Sequence, residues 1–348
     1  MAETRSKKEL NKNRTKKNQP IKTWSMPVPA NECNSSIVPC ALCGGLKFKT
    51  ALNCEGFFFV RCKNCSLVQR NPQPDKDEIT ARYKNIYGDD YLSYEIKNEA
   101  SFLALQQLAL KDAKFDKLEK KLLSASPTLS NSVSSEVLTS PALSNSVSSV
   151  VITSPALSNS VSSVVITSPS VLDIGCATGT LLETLQKKGF NTIGVEISPS
   201  AEYARKNRSL DVRSLPLEEN KFADNSFDVI LASHLIEHLN DPHYFLTEVY
   251  RILKNNGQLF ITTPNIASFQ ANLFGGQWRS AIFDHLYLFS RRTLLDLLKK
   301  TGFKIISCHT WGGLAAGTAP TPVKKCADFL AKRFNCGDVM IVCAAKAV

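Results

Sequence analysis

Two groups of residues in this chain have types and spacings that could do chemistry. Cys40-Ala-Leu-Cys43 and Cys62-Lys-Asn-Cys65 are Cys-x-x-Cys pairs separated by 18 residues. Four thiolates at that spacing can close a tetrahedral site, and the metal they suit is zinc, here as a structural ion. The second group starts at Val171-Leu-Asp173-Ile-Gly175-Cys176-Ala177-Thr-Gly179-Thr, a buried-strand pattern running through a glycine-bearing turn into a helix start. Glycine there lets the backbone approach a ligand closely. A dinucleotide site would read Gly-x-Gly-x-x-Gly, with pyrophosphate over the helix N-terminus. Here Gly175 and Gly179 are four apart with Ala177 between them, which suits a ligand without phosphate. Glu196, followed by Ile197, closes the next apolar run about 20 residues on, where a carboxylate can accept hydrogen bonds from both ribose hydroxyls. NAD enzymes use the same device, so Glu196 alone does not choose between the two ligand classes. His238 and His285 are imidazoles able to accept a proton near neutral pH.

The elements that must position these residues follow from the periodicity. From Val171 onward, strands alternate with helices, the pattern of a mostly parallel sheet with helices on both faces. Strands are expected at Val171 to Ile174, Thr192 to Glu196, Phe227 to Ala232 and Leu259 to Thr263, with two more near Phe303 to His309 and Val339 to Ala345. Helices are expected from Thr180 to Lys188, after Ser198-Pro199, from the Asp241-Pro242 cap to Lys254, from Ser290 to Lys300, and around Val323 to Phe334. Ser and Asp are natural N-caps, and Pro fits the first helical turn because its missing N–H has no partner there.

Upstream, the composition divides the chain further. Residues 1–32 form a basic tail, and its first 22 residues carry a surplus of six positive charges out of a net +11. So few apolar residues cannot offset the entropy of ordering, so a disordered arm is expected, solvated or in contact with RNA or another acidic surface. Residues 33–74 hold the cysteine pairs, with Cys33 and Cys54 outside the ligand pattern. Residues 75–125 show helical spacing behind a Tyr-rich lead-in (Tyr83, Tyr87, Tyr91, Tyr94) and are read as two helices acting as a lid. Residues 126–169 repeat a 14-residue unit three times, SPALSNSVSSVVIT in its second and third copies. With about four apolar residues per unit this is a poor solenoid core, and an expanded surface linker is expected, a small β-stack being the alternative. Residues 170–348 make up the sheet domain. No stretch reaches the ~18 apolar residues of a membrane span, and the charged N-terminus lacks a secretory apolar core, so a cytoplasmic location is the expectation.

In the sheet domain, Leu172-Asp173-Ile-Gly175-Cys176-Ala177-Thr-Gly179 resembles the first motif of class I S-adenosylmethionine-dependent methyltransferases. The run Asp224-Asn-Ser-Phe-Asp228-Val-Ile through Glu237-His238 and Asp241-Pro242 to Leu253-Lys-Asn-Asn-Gly257 and Thr263-Pro264-Asn265 is similar to the ubiquinone-biosynthesis-like group, as are Trp278, Asp284-His285 and Tyr287. Asn256 stands where many relatives have another glycine. The resemblance covers about half of the chain. It implies a Rossmann-like, seven-stranded sheet and S-adenosyl-L-methionine as cofactor, with Asp173 beside it. Leu217 and Glu218 would lie near the adenine, and Ala232, Ser233 and His234 on the pocket floor. Relatives also carry a zinc ribbon followed by a stretch like Asn71-Pro-Gln-Pro74.

A sulfonium methyl moves by in-line displacement, so the protein mainly aligns the acceptor and excludes water. A base is needed only when the acceptor must lose a proton, and His238 and His285 are the candidates. The resemblance also implies that Glu237 and His238 hold magnesium, a role for which one carboxylate and one imidazole are a poor oxygen set. The expected function is methyl transfer, at oxygen, to a small-molecule, glycan or lipid-precursor acceptor. Modification of RNA or a translation-related protein is the alternative raised by the basic arm and ribbon, although the ribbon loop, with Phe57, Phe58 and Phe59, shows no stacking-plus-cation groove.

Overall fold

The computed structural model of the chain describes residues 35–75, 77–79, 81, 89–125, 168–314 and 320–347. The basic tail, Cys33, Tyr83, Tyr87 and the repeat units through Thr167 lie outside them. The described N-terminal strands are β1 (Ser35–Ser36), β2 (Phe48–Cys54), β3 (Phe57–Cys62), β4 (Val68–Arg70) and β5 (Gln73–Pro74). Helices α1 (Asp89–Asp112) and α2 (Phe115–Ala125) follow. The remaining strands are β6 (Ser170–Ile174), β7 (Asn191–Val195), β8 (Val212–Arg213), β9 (Phe227–Ser233), β10 (Leu253–Pro264), β11 (Tyr287–Leu288), β12 (Phe303–Trp311) and β13 (Val339–Lys346). Between them run α3 (Thr180–Lys187), α4 (Ser200–Arg208), α5 (Pro242–Ile252), α6 (Phe269–Phe274), α7 (Arg291–Lys300) and α8 (Thr321–Arg333).

The seven-stranded sheet has the order β12-β13-β10-β9-β6-β7-β8. Its pairs are parallel from β8 to β10, and β13 runs antiparallel to both β10 and β12. This is the expected Rossmann-like fold. Val171 and Leu172 in β6, and Val229 and Ile230 in β9, are fully enclosed, as central parallel strands covered on both faces must be. The chain reverses direction across the sheet at β6, and the crevice beyond the carboxyl end of such a strand is where ligands bind.

Local chemistry sets the helix starts. The Asp241 side chain accepts from the Tyr244 N–H at 2.9 Å with Pro242 in the first turn, and Ser290 and Thr293 form a reciprocal capping box. Helix α4 starts one residue later than Ser198-Pro199 predicts, although the Ser198 hydroxyl still accepts from the Ser200 N–H. Helix α5 stops at Ile252 because Leu253 already has extended backbone and pairs with Phe227.

Two packing relationships tie the upstream segments to this sheet. Phe115 is buried against Phe190 and, edge to face, Phe260, so α2 packs on the sheet. The cysteine-bearing strands form a four-stranded antiparallel sheet whose order, β11-β4-β3-β2, includes Tyr287–Leu288 from the C-terminal half of the chain. No helix among the described residues is long and apolar enough to cross a membrane.

Candidate active site

The turn after β6 is held by the neighbouring strand. Gly175 and Cys176 N–H groups donate to the Val195 carbonyl at 2.7 and 3.3 Å, with Gly175 at φ +76° and Ala177 also left-handed. This aims the Ala177 N–H at Glu196 Oε2, 3.0 Å away, while the Ser198 N–H donates to Oε1 at 2.8 Å. A carboxylate has about four acceptor positions, so two remain for a diol. Asp173 lies behind the turn with its Oδ1 buried and unpartnered. Burial and the nearby Glu196 charge push Asp173 up to about 7. An unpartnered buried carboxylate oxygen behind the turn places negative charge close to where a cationic ligand would sit.

A cavity of about 610 Å³ opens over this turn, a size that fits a nucleoside-sized ligand beside a small acceptor. Gly175, Cys176, Ala177, Glu196, Ile197, Leu217, Glu218, Ser233, His234, His238 and His285 all line it. Asp173 and Gly179 do not. Gly179 faces the other way: a Cβ there would lie 2.6 Å from Leu210 Cδ1 and 3.2 Å from Ala204 Cβ, so this glycine lets α3 pack near α4.

Helix α1 roofs the cavity with residues that motif reading did not single out. Glu95 accepts from the Ser200 hydroxyl, and burial pushes its carboxyl up to about 7 with help from Glu196. Glu99, one turn on, accepts from Arg208 Nη2 at 2.6 Å and from the Thr180 hydroxyl at 3.4 Å. Two like charges at i and i+4 disfavour an isolated helix, and that spacing was the available signal. Tyr91, Phe102 and Trp311 also line the cavity.

At its far end the imidazoles gather. His238 Nδ1 lies 3.0 Å from the Asp284 carbonyl, His285 Nδ1 lies 2.7 Å from the Ser280 carbonyl, and the two rings meet edge to face at 4.6 Å. A carbonyl can only accept, so both rings carry the proton on Nδ1 and Nε2 is the basic nitrogen. Burial lowers both histidines, His285 to about 3, so both are neutral at pH 7. Glu237, fully buried beside them, accepts from Thr263 Oγ1 at 3.0 Å and lies 3.2 Å from His234 Nδ1. Burial alone would raise Glu237, but the His234 hydrogen bond and the surrounding imidazoles hold it at about 2. Ligand atoms of Glu237, His238 and His285 lie within 4.8 Å of one another. Two imidazoles and one carboxylate are a transition-metal donor set, unlike the oxygen ligands magnesium prefers.

The four cysteines also converge, with Cys40 and Cys65 sulfurs 3.3 Å apart and Cys43 and Cys62 sulfurs 3.5 Å apart. A tetrahedron of thiolates about 2.3 Å from zinc has edges of about 3.8 Å. Each pair sits in a matching turn: the Gly44 N–H donates to Cys40 O and the Ser66 N–H to Cys62 O, with both residues left-handed. Burial pushes the Cys65 thiol up to about 11, whereas at Cys62 burial is outweighed by hydrogen bonds from the Cys65 and Asn64 backbone, which bring the thiol down to about 7; a cation at the centre would favour the thiolate form of all four.

Comparison with known proteins fits this geometry. The chain is 35% identical over 106 residues to the mitochondrial ubiquinone biosynthesis O-methyltransferase of Rattus norvegicus, covering 27% of this chain and 30% of that protein. It is 29% identical over 145 residues to the ubiquinone biosynthesis O-methyltransferase of Cereibacter sphaeroides, covering 38% and 59%. The chain thus spans less than two thirds of the length of these curated relatives. Among solved structures, a SAM dependent methyltransferase from Archaeoglobus fulgidus aligns with a TM-score of 0.40 at 22% identity, over 51% of this chain and 86% of that one. The family model described as a methyltransferase domain matches residues 115–308, more than half of the chain, and the chain belongs to that family.

Proposed function

We propose that this chain is an S-adenosyl-L-methionine-dependent methyltransferase acting at oxygen on a small-molecule, glycan or lipid-precursor acceptor. One observation carries the reading: a single cavity joins the Gly175 turn and Glu196 at one end to His238 and His285 at the other. Bound there, the cofactor would supply a sulfonium-activated methyl group. Glu196 would take the ribose hydroxyls and Leu217 and Glu218 the side next to the base, while Asp173, behind the turn, would add negative charge near the cationic ligand without touching it. Helix α1 would act as the lid, closing over the ligand through Glu95 and Glu99 and excluding water. An acceptor hydroxyl would give its proton to Nε2 of His238, the nitrogen its Nδ1 hydrogen bond leaves free, while His285, held at about 3 by burial, is the weaker base of the two.

The similarity to ubiquinone O-methyltransferases supports oxygen as the acceptor atom. Two of the three ribbon aromatics are not free to stack on bases, since Phe59 is fully buried and Phe57 packs edge-on against Phe59 and Phe283, and an exposed Phe58 alone makes no stacking platform. We assign structural zinc to Cys40, Cys43, Cys62 and Cys65. We also place the start of the methyltransferase unit at α1 rather than at residue 170, with the repeats as an insertion in its sequence, because Phe115 packs on the sheet. Incubation of the purified chain and methyl-labelled cofactor with a metabolite extract tests the reading. A labelled methyl ether supports it, and labelled RNA or protein with no labelled small molecule refutes it.

A further inference from the structure

The loop bearing His285 is gripped by a residue of the cysteine-bearing sheet. Arg70 ends β4 and is 6% exposed. Its backbone N–H donates to the Leu286 carbonyl at 2.8 Å, and its Nη1 donates to the Phe283 carbonyl at 2.9 Å. The guanidinium carbon also lies 3.7 Å from the centre of the Phe283 ring. The peptide groups at 283 and 286 are therefore fixed by one side chain and its own backbone, and only Asp284 and His285 lie between them. Those two residues set the imidazoles: Asp284 offers the carbonyl that His238 Nδ1 faces, and the His285 ring packs against His238. The same loop is tied to the floor, since the Leu286 N–H donates to the Glu237 carbonyl at 2.8 Å.

Burying a guanidinium is costly unless its geometry is used. Here it is used twice, as a donor to a carbonyl and as a plane over a ring. Lysine, a point charge on a flexible stem, can donate to a carbonyl but cannot lay a plane on the ring at the same time.

We propose that Arg70 is a positioning residue for methyl transfer, holding the 283–286 backbone so that His238 keeps Nδ1 as donor to the Asp284 carbonyl and Nε2 free for the acceptor, with the His285 ring packed against it. The proposal rests on the methyltransferase reading above. It makes the cysteine-bearing sheet part of the acceptor site, acting through β4.

Arg70→Lys and Phe283→Leu test it in the full-length protein, the first keeping the charge and the second removing the stack. For both, kcat should fall about tenfold to hundredfold, the scale of a small misplacement of reacting groups. S-adenosylmethionine affinity by calorimetry should stay within about twofold, because the turn at Gly175 is untouched. Long-range proton–nitrogen spectra should show the His238 ring leaving its single Nδ1–H tautomer. Unchanged kcat and tautomer in a folded Arg70→Lys protein would overturn the proposal, and so would a parallel loss of cofactor affinity and kcat. Wild-type protein that binds no cofactor would instead refute the methyltransferase reading.

Discussion

The hydroxyl of Ser200, first residue of α4, donates to the buried carboxylate of Glu95, 105 positions earlier in the chain. This bond pins α1 over the pocket. Because burial raises Glu95 to about 7, its contribution to stability is complete below its unfolded pKa and is lost as pH rises through 7. Asp173 behaves in the same direction for the same reason. Thermal melts of the cofactor-free protein should therefore show falling stability from about pH 5 to about pH 8, and Glu95→Gln should flatten that slope. A slope identical in wild type and variant would remove Glu95 from the account.

Cofactor affinity should run the opposite way. A cationic ligand favours the ionised forms of Asp173 and Glu95, so S-adenosylmethionine should bind more tightly as pH rises from about 6 to about 8, by roughly tenfold if one proton is released. Calorimetry in two buffers of different ionisation enthalpy measures that proton directly.

The two glycines of the turn should separate stability from binding. Gly179→Ala forces a Cβ to 2.6 Å from Leu210 at a left-handed φ, and should cost about 1–3 kcal/mol of stability. Gly175→Ala meets nothing closer than 3.5 Å but strains a backbone that lines the cavity, so it should weaken cofactor binding more than it lowers the melting temperature. Equal effects of both substitutions on binding would contradict this division.

Removing metal from the cysteine cluster should reach the acceptor end of the cavity. Its sheet includes Tyr287–Leu288, which begins two residues after His285, so chelation or Cys62→Ser should lower kcat before it lowers cofactor affinity. Colorimetric titration of the released metal should find about one zinc per chain. Full activity after metal loss would mean that the sheet holds its shape unaided.

Much of this was legible in the residues. Enclosed strands such as Val171 to Ile174 and Phe227 to Leu231 read as apolar runs broken once each, by Asp173 and Asp228, and Asp241-Pro242 and Ser290 marked helix starts. What escaped was long-range. A two-residue strand at Tyr287–Leu288 has no periodicity, and its partner Val68–Arg70 is far away in sequence. Val212–Arg213 is equally short. Gly179 looked like a ligand glycine because motif spacing cannot tell close approach to a ligand from close approach to Leu210. Helix α1 was visible as helical spacing, yet which of its faces turns to the cavity depended on where Ser200 and Arg208 lay.

The most direct test is calorimetric titration of S-adenosylmethionine into wild-type protein and into Glu196→Ala. The wild type should bind, and the variant should lose at least about tenfold in affinity while remaining folded, the scale of two charge-assisted hydrogen bonds. No heat from the wild type, or equal affinity in the variant, would contradict the assignment of this cavity.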